Sequence, residues 1–71
     1  MIMPLSMATI GEKNTIKKIS GRDEMRRHLA NLGFVEGEEI SIVSRHGGNV
    51  ILCIKDSRIA IDETLANRII V

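Results

Sequence analysis

The sequence contains three histidine or cysteine side chains, His28, His46 and Cys53, which could bind a metal or take part in catalysis. Together they could supply three ligands to a transition metal, and a metal-sensing domain is therefore one alternative for this chain. Structural zinc sites, however, usually draw ligands from close pairs such as C-x₂-C or H-x₃-H, and the sequence contains neither. Cys53 also lies in an apolar run, where free cysteine behaves as a small hydrophobic residue. We therefore predict that Cys53 belongs to the core and that no residue binds a metal.

Catalytic chemistry has little support in the sequence. Acid–base or nucleophilic catalysis needs a His, Cys or Ser with an orienting partner, or two carboxylates in one cleft, and neither histidine lies in such a motif. The segment GRDEMRR lacks the Lys-Ser/Thr ending of a phosphate-binding loop. These observations predict a protein that is not an enzyme and has no cofactor.

The basic stretch KKISGRDEMRR contains the most prominent candidates for binding, Arg22, Arg26 and Arg27. They could form an electrostatic docking face, or a solvated helix surface that Asp23 and Glu24 partly neutralise. A small nucleic-acid-binding barrel is another alternative. However, the net charge is only +1, and one Phe with no Trp or Tyr leaves few side chains on which bases could stack.

A helix is expected to position these arginines, because apolar residues recur between and after them at helical spacing. Met25, Leu29 and Leu32 recur at helical spacing, which predicts a helix from about Arg22 to Leu32 with one apolar face. Ser20 or Asp23 is the expected N-cap, because a short side-chain oxygen can accept hydrogen bonds from the first-turn amides.

The corner after this helix is predicted to be structural. Gly33 follows the last apolar position, where a left-handed backbone conformation commonly ends a helix. Phe34 is then expected to pack back into the core, and Gly37 to make the turn that begins the next strand.

The rest of the sequence predicts short strands and turns. Alternation and β-branched residues predict strands at residues 14–20, 39–46, 50–55 and 58–61, followed by the apolar ending RIIV, which must pair back into the sheet. Turns are expected at residues 47–49 and at Asp56 and Ser57, and Asp62 is expected to cap a short helix, DETLAN.

Size and composition predict one domain, residues 1–71. A single cysteine cannot form an intramolecular disulfide, which favours a reducing, cytoplasmic compartment. No apolar run approaches the ~20 residues needed to span a bilayer, and the opening MIMPLSMA lacks the pattern of a signal peptide. We therefore expect a chain that is neither exported nor inserted into a membrane.

The pattern R-x-x-L-x-x-L-G-F-x-x-G-x-x-I-x-I resembles the FeoA family, small proteins of ferrous iron transport. It is carried by Arg26, Leu29, Leu32, Gly33, Phe34, Gly37, Ile40 and Ile42. The closing segment RIAIDETLANRIIV is similar to the end of that family. One departure is Asp56 and Ser57, where the family usually has a glycine.

The resemblance implies a mostly β, SH3-like small barrel with a helix inserted after its first strand and a short helical turn before its last strand. It implies a cytoplasmic accessory protein that binds the GTPase-containing part of the ferrous iron permease FeoB and supports iron uptake. A similar barrel ends iron-dependent repressors, but no DNA-binding helix-turn-helix precedes it here, which favours the transport protein. We expect Arg22, Arg26 and Arg27 to meet the partner, whereas Gly33, Phe34 and Gly37 are structural. The oligomeric state is not predicted.

Overall fold

Strands dominate the computed structural model, which describes residues 2–71. Along the chain its elements are a 3-10 helical turn (Leu5–Met7), β1 (Lys13–Thr15), β2 (Lys18–Ile19), α1 (Asp23–Asn31), β3 (Glu39–His46), β4 (Asn49–Ile54), β5 (Ser57–Asp62), α2 (Glu63–Ala66) and β6 (Ile69–Ile70). The predicted helix and strands after residue 20 are all present, with ends that differ by one residue or two.

Two antiparallel sheets form the fold: a four-stranded sheet in the order β1-β3-β4-β5 and a two-stranded sheet of β2 and β6. The single strand predicted at residues 14–20 is divided between them. The amide of Ile16 donates to the carbonyl of Glu38 at 2.9 Å, whereas the next amide, of Lys17, donates to Ile70 at 2.8 Å. The chain therefore changes sheets between these two residues, a switch that the side-chain pattern does not show.

The last strand pairs back into the fold, as the sequence predicted. β6 lies beside β2 on one side, and Ile70 forms a bridge with Pro4 on the other. Met3 and Val71 exchange two backbone hydrogen bonds, of 3.0 and 2.8 Å. The apolar C-terminal segment is thus paired on both sides, and the first and last segments close one end of the barrel.

One core fills the space between the sheets, and Phe34 is its largest fully buried side chain. The N-terminal segment, to which the sequence assigned no element, contributes Leu5 and Ala8 to this core. Arg45 holds that segment in place, because its guanidinium donates to the carbonyl oxygens of Ser6 at 2.7 Å and Ala8 at 3.0 Å.

The two hairpin turns differ slightly from their predictions. Gly47 and Gly48 make the first turn, and Asn49 already belongs to β4. The second turn consists of Lys55 and Asp56, with φ of 48° and 63°, and so lies one residue before the predicted position. Lysine rarely adopts positive φ, so the sequence favoured a turn at Asp56 and Ser57 over one that includes Lys55.

The prediction that Cys53 is a core residue is wrong. Its neighbours Leu52 and Ile54 are buried, but Cys53 is half-buried on the outer face of the sheet, between Ser41 of β3 and Arg58 of β5. Successive side chains of a strand point to opposite faces, so even a nearly continuous apolar strand here has an inner and an outer side.

The short helix α2 begins as predicted. The Oδ1 atom of Asp62 accepts a hydrogen bond from the amide of Leu65 at 2.8 Å, which is the geometry of an N-cap. Ala66 of this helix is fully buried, so α2 lies against the core and leads directly into the final strand.

Candidate partner-binding face

Helix α1 presents the predicted arginines to solvent. Leu29 is fully buried and Met25 is partly buried against the core, while Arg26 and Arg27 are exposed on the remaining faces. Leu32, predicted to lie on the same apolar face, follows the helix and is 37% exposed.

The N-terminus of α1 differs from the prediction. Arg22 is the N-cap residue and has an extended backbone, with φ of −72° and ψ of 157°. No side chain caps the helix, so neither Ser20 nor Asp23 has the expected role. Arg22 is thus held by the start of the helix, and its carbonyl accepts a hydrogen bond from the amide of Arg26 at 3.0 Å.

The C-terminus of α1 fixes its orientation and confirms the predicted conformation of the corner. Gly33 has φ of 101°, and its amide donates to Ala30 at 2.9 Å. The amide of Phe34 donates to the carbonyl of Leu29 at 3.0 Å, which completes a Schellman motif with two buried apolar side chains in place. Gly37, with φ of 91°, donates to the carbonyl of Ile16 and so begins the return towards β3.

One carboxylate interrupts the positive surface of the helix. The guanidinium of Arg26 lies 3.6 Å from the carboxylate of Asp23, and both side chains are largely exposed. An exposed ion pair of this kind contributes at most about 1 kcal/mol, because water and salt screen it. The pair orients Arg26 along the helix but leaves it accessible to a partner.

A fourth arginine, which the sequence analysis missed, lies beside the start of α1. Arg68 and Arg22 line a shallow groove of about 540 Å³ with Gly21, Glu24 and Met25. Gly21 has φ of 118°, and a Cβ atom built there would lie 3.3 Å from a terminal nitrogen of Arg68. We call Arg22, Arg26, Arg27 and Arg68 the basic face.

Strand pairing explains how Arg68 comes to this position. β2 and β6 pair with Ile19 opposite Ile69, so Ser20 lies next to Arg68, and the amide of Ser20 donates to the carbonyl of Arg68 at 2.7 Å. The position of Arg68 beside α1 therefore follows from the pairing register of β2 and β6, which no local sequence motif encodes.

A second groove lies along another side of α1 and has more apolar residues in its lining. It has a volume of about 410 Å³ and is lined by Ile19, Arg26, Ala30, Phe34, Val35 and Glu36. Val35 is 37% exposed, so an apolar side chain lies at the surface near Arg26. Charged residues around an accessible apolar centre are the usual composition of a protein-binding surface.

The outer face of the four-stranded sheet is electrostatically balanced. A groove of about 420 Å³ on the outer face of the four-stranded sheet contains Lys13, Glu39, Lys55 and Glu38 as well as Cys53. Lys13 lies 3.7 Å from Glu39, and Lys55 lies 3.5 Å from Glu38. This face thus has no excess of positive charge to attract a phosphate backbone.

The three potential metal ligands are not brought together. His28 is exposed in the last turn of α1, and His46 is exposed at the end of β3, where its Nε2 lies 3.1 Å from the hydroxyl of Ser44. Cys53 is on β4. Within residues 2–71, no three His, Cys, Asp or Glu side chains are placed to hold one metal ion.

Comparison with known proteins identifies the family. The FeoA domain family matches residues 3–71, almost the whole chain. The chain belongs to the FeoA family. A candidate Fe(2+) transport protein A of Methanocaldococcus jannaschii is 34% identical to it over 68 residues, which are 96% of this chain and 83% of the relative.

Solved FeoA structures share the fold. The crystal structure of an iron uptake regulatory protein, FeoA, superposes with a TM-score of 0.89 at 30% identity, covering 99% of this chain and 95% of the other. The zinc complex of FeoA from Stenotrophomonas maltophilia, described as an SH3 domain protein, superposes with a TM-score of 0.81 at 26% identity, over 94% and 86% of the two chains. The predicted SH3-like, mostly β fold is confirmed.

The FeoA family is associated with ferrous iron transport and acts as a non-enzymatic accessory, so the predicted broad function and the absence of enzyme activity are confirmed. Among the helices of residues 2–71, none has the length and apolar character that a bilayer crossing requires. The basic face therefore belongs to a member of a family of accessory proteins.

Proposed function

We propose that this FeoA protein acts in the cytoplasm by binding the GTPase-containing part of the ferrous iron permease FeoB, and that it supports iron uptake through this contact. Membership of the family supports a role beside an iron transporter. The observation that carries the proposed contact is the basic face: Arg26 and Arg27 are exposed on α1, and Arg22 at the start of the helix shares a groove with the exposed Arg68.

The surroundings of the basic face suit a protein partner better than a chain of phosphates. Asp23 and Glu24 lie among the arginines, and the neighbouring groove exposes Val35. Phosphate binding depends on dense positive charge, whereas a protein interface combines apolar contacts with paired charges. We therefore expect an acidic surface with a small apolar centre on the permease.

Electrostatic attraction of this kind acts mainly on the rate of association. It works over a Debye length of about 8 Å at physiological ionic strength, so added salt should slow binding more than it speeds dissociation. The face also includes Arg68, so the proposed contact combines residues that are far apart in the sequence.

Association kinetics with the purified cytoplasmic part of FeoB test the proposal. Arg26→Glu combined with Arg27→Glu should leave the circular dichroism spectrum unchanged, because both side chains are exposed, and should slow association roughly tenfold or more. A matched control is Lys13→Glu with Lys55→Glu, which changes the net charge equally on the balanced sheet face. Equal rates for the arginine variant and the unmodified chain would exclude the basic face from the interface.

A further inference from the structure

Strand β5 is an edge of the four-stranded sheet and has a long unpaired side. It spans six residues, Ser57–Asp62, and its ladder partner is β4. Arg58 and Ala60 are exposed at this edge. The pairing register is continuous from Asn49–Asp62 to Ile54–Ser57, so no bulge twists the strand away. Proline, which also protects edge strands, is absent from it.

The hairpin geometry shows which backbone groups face this edge. In a two-residue hairpin the residues that flank the turn, here Ile54 and Ser57, form a hydrogen-bonded pair, and hydrogen-bonded pairs then alternate along the ladder. The amide of Glu63 donates to the carbonyl of Gly48 at 2.9 Å, which continues the same alternation beyond Asp62.

Odd-numbered residues of β5 therefore bond to β4, and Arg58, Ala60 and Asp62 point their amides away from it. Within residues 2–71, no backbone hydrogen bond satisfies these three amides. A strand edge with unpaired donors and acceptors is a template for another strand.

We propose that β5 pairs antiparallel with β5 of a second copy of this chain, with Ala60 opposite Ala60 at the two-fold axis. This pairing makes one sheet from the four-stranded sheets of both copies. The Ala60 amides and carbonyls bond to one another, and the amide of Asp62 donates to the carbonyl of the second copy's Arg58. Such an isologous contact closes after two copies.

Charge complementarity supports a second copy of the chain as the partner of β5, and it supports the register centred on Ala60. With Ala60 at the axis, Arg58 of each copy lies directly opposite Asp62 of the other, and opposite charges in such pairs stabilise a sheet. In the chain by itself, Arg58 takes part in none of the ion pairs between described residues. Asp62 uses Oδ1 to cap α2, which leaves Oδ2 for the guanidinium.

Other registers are less favourable. If the axis passed through Arg58 or through Asp62, two arginines or two aspartates would face each other, which destabilises the pair. The register centred on Ala60 is the one that gives each of the three outward-facing residues a partner while pairing opposite charges.

Sedimentation of the full chain over a concentration series tests the proposal. We expect a monomer–dimer equilibrium, and Arg58→Glu should weaken dimerisation at least tenfold, because the introduced glutamate faces Asp62. Lys13→Glu makes the same charge change on β1, the opposite edge of the sheet, and should leave dimerisation unchanged. A chain that stays monomeric up to about 1 mM would overturn the proposal.

Asp62→Asn gives a sharper criterion, because asparagine retains the helix cap. In the unmodified chain this change removes an attraction and should weaken dimerisation. Combined with Arg58→Glu it removes a repulsion and should strengthen dimerisation. The same sign in both backgrounds would show that Arg58 and Asp62 do not face each other across an interface.

Amide hydrogen exchange locates the contact. The amides of Ala60 and Asp62 should exchange rapidly in dilute solution and slowly at high concentration, whereas that of Ile59, bonded to β4, should be protected at both. If the chain dimerises while the exchange of Ala60 is independent of concentration, the dimer uses another surface and the proposal is wrong.

Discussion

The backbone amide of Phe34 donates to the carbonyl of Leu29, and the side chains of both residues are fully buried. The end of α1 is thereby fixed by one hydrogen bond and by two side chains that belong to the core. Gly33 makes this arrangement possible through its φ of 101°, a backbone conformation that other residues rarely adopt.

Gly33→Val should therefore lower the free energy of unfolding by more than about 1 kcal/mol. A Cβ atom at this position would meet no atom within 4 Å, so the cost comes from the backbone and not from a clash. Thermal denaturation measures the change. Gly48→Ala is the control, because Gly48 is not among the positive-φ glycines and has the same open space. Equal melting temperatures for the Gly33→Val variant and the unmodified chain would contradict the assigned helix end.

Arg45 should stabilise the fold through the N-terminal segment. Its guanidinium donates to the carbonyls of Ser6 and Ala8, so Arg45→Ala should lower the free energy of unfolding by roughly 1–2 kcal/mol and speed exchange of the Ala8 amide. Arg27→Ala removes an exposed arginine without such bonds and serves as the control. If both variants unfold at the same denaturant concentration, the contacts of Arg45 contribute nothing to stability.

Cys53 should tolerate substitution better than its buried neighbour. Because the thiol is half-buried on the outer face, Cys53→Ser should change the free energy of unfolding by less than about 1 kcal/mol, whereas Leu52→Ala should cost about 2–5 kcal/mol. The thiol should also react with Ellman's reagent in the folded protein. If the thiol reacted only after denaturant was added, Cys53 would be a buried core residue after all.

A glycine in the turn of Lys55 and Asp56 should stabilise the folded protein. Asp56 has φ of 63°, so Asp56→Gly relieves backbone strain, which outweighs the added entropy of the unfolded chain and should raise stability by about 0.5 kcal/mol. Lys55 keeps its ion pair with Glu38 in this variant. Ser57→Gly, in the adjoining strand, should have the opposite sign in urea denaturation. A loss of stability in both variants would argue against strain at Asp56.

Local chemistry made much of this fold predictable from sequence. Gly33 and Phe34 carry the signal for a helix end, and Asp62 carries the signal for a helix start, because each rule involves residues within one turn. These elements lie where they were expected, and the three exposed arginines near the first helix followed from its period.

Features that depend on distant pairing were missed. The burial of Leu5 and Ala8 depends on contacts with the rest of the barrel, and their segment has no helical or strand period. Arg68 joins the basic face because β2 pairs with β6. The outward position of Cys53 depends on which side of β4 meets the core, and a nearly continuous apolar run conceals that choice.

The pairing of Met3 with Val71 also affects the order in which the fold forms. β3, β4 and β5 are joined by two-residue turns, so their contacts need little loop closure, whereas Met3–Val71 and β2–β6 join segments far apart in the chain. We expect the meander to form first and the terminal strands to dock last. Arg68 directly precedes β6, so the complete basic face exists only in molecules that have finished folding, and a partner that requires Arg68 together with Arg22 would select them.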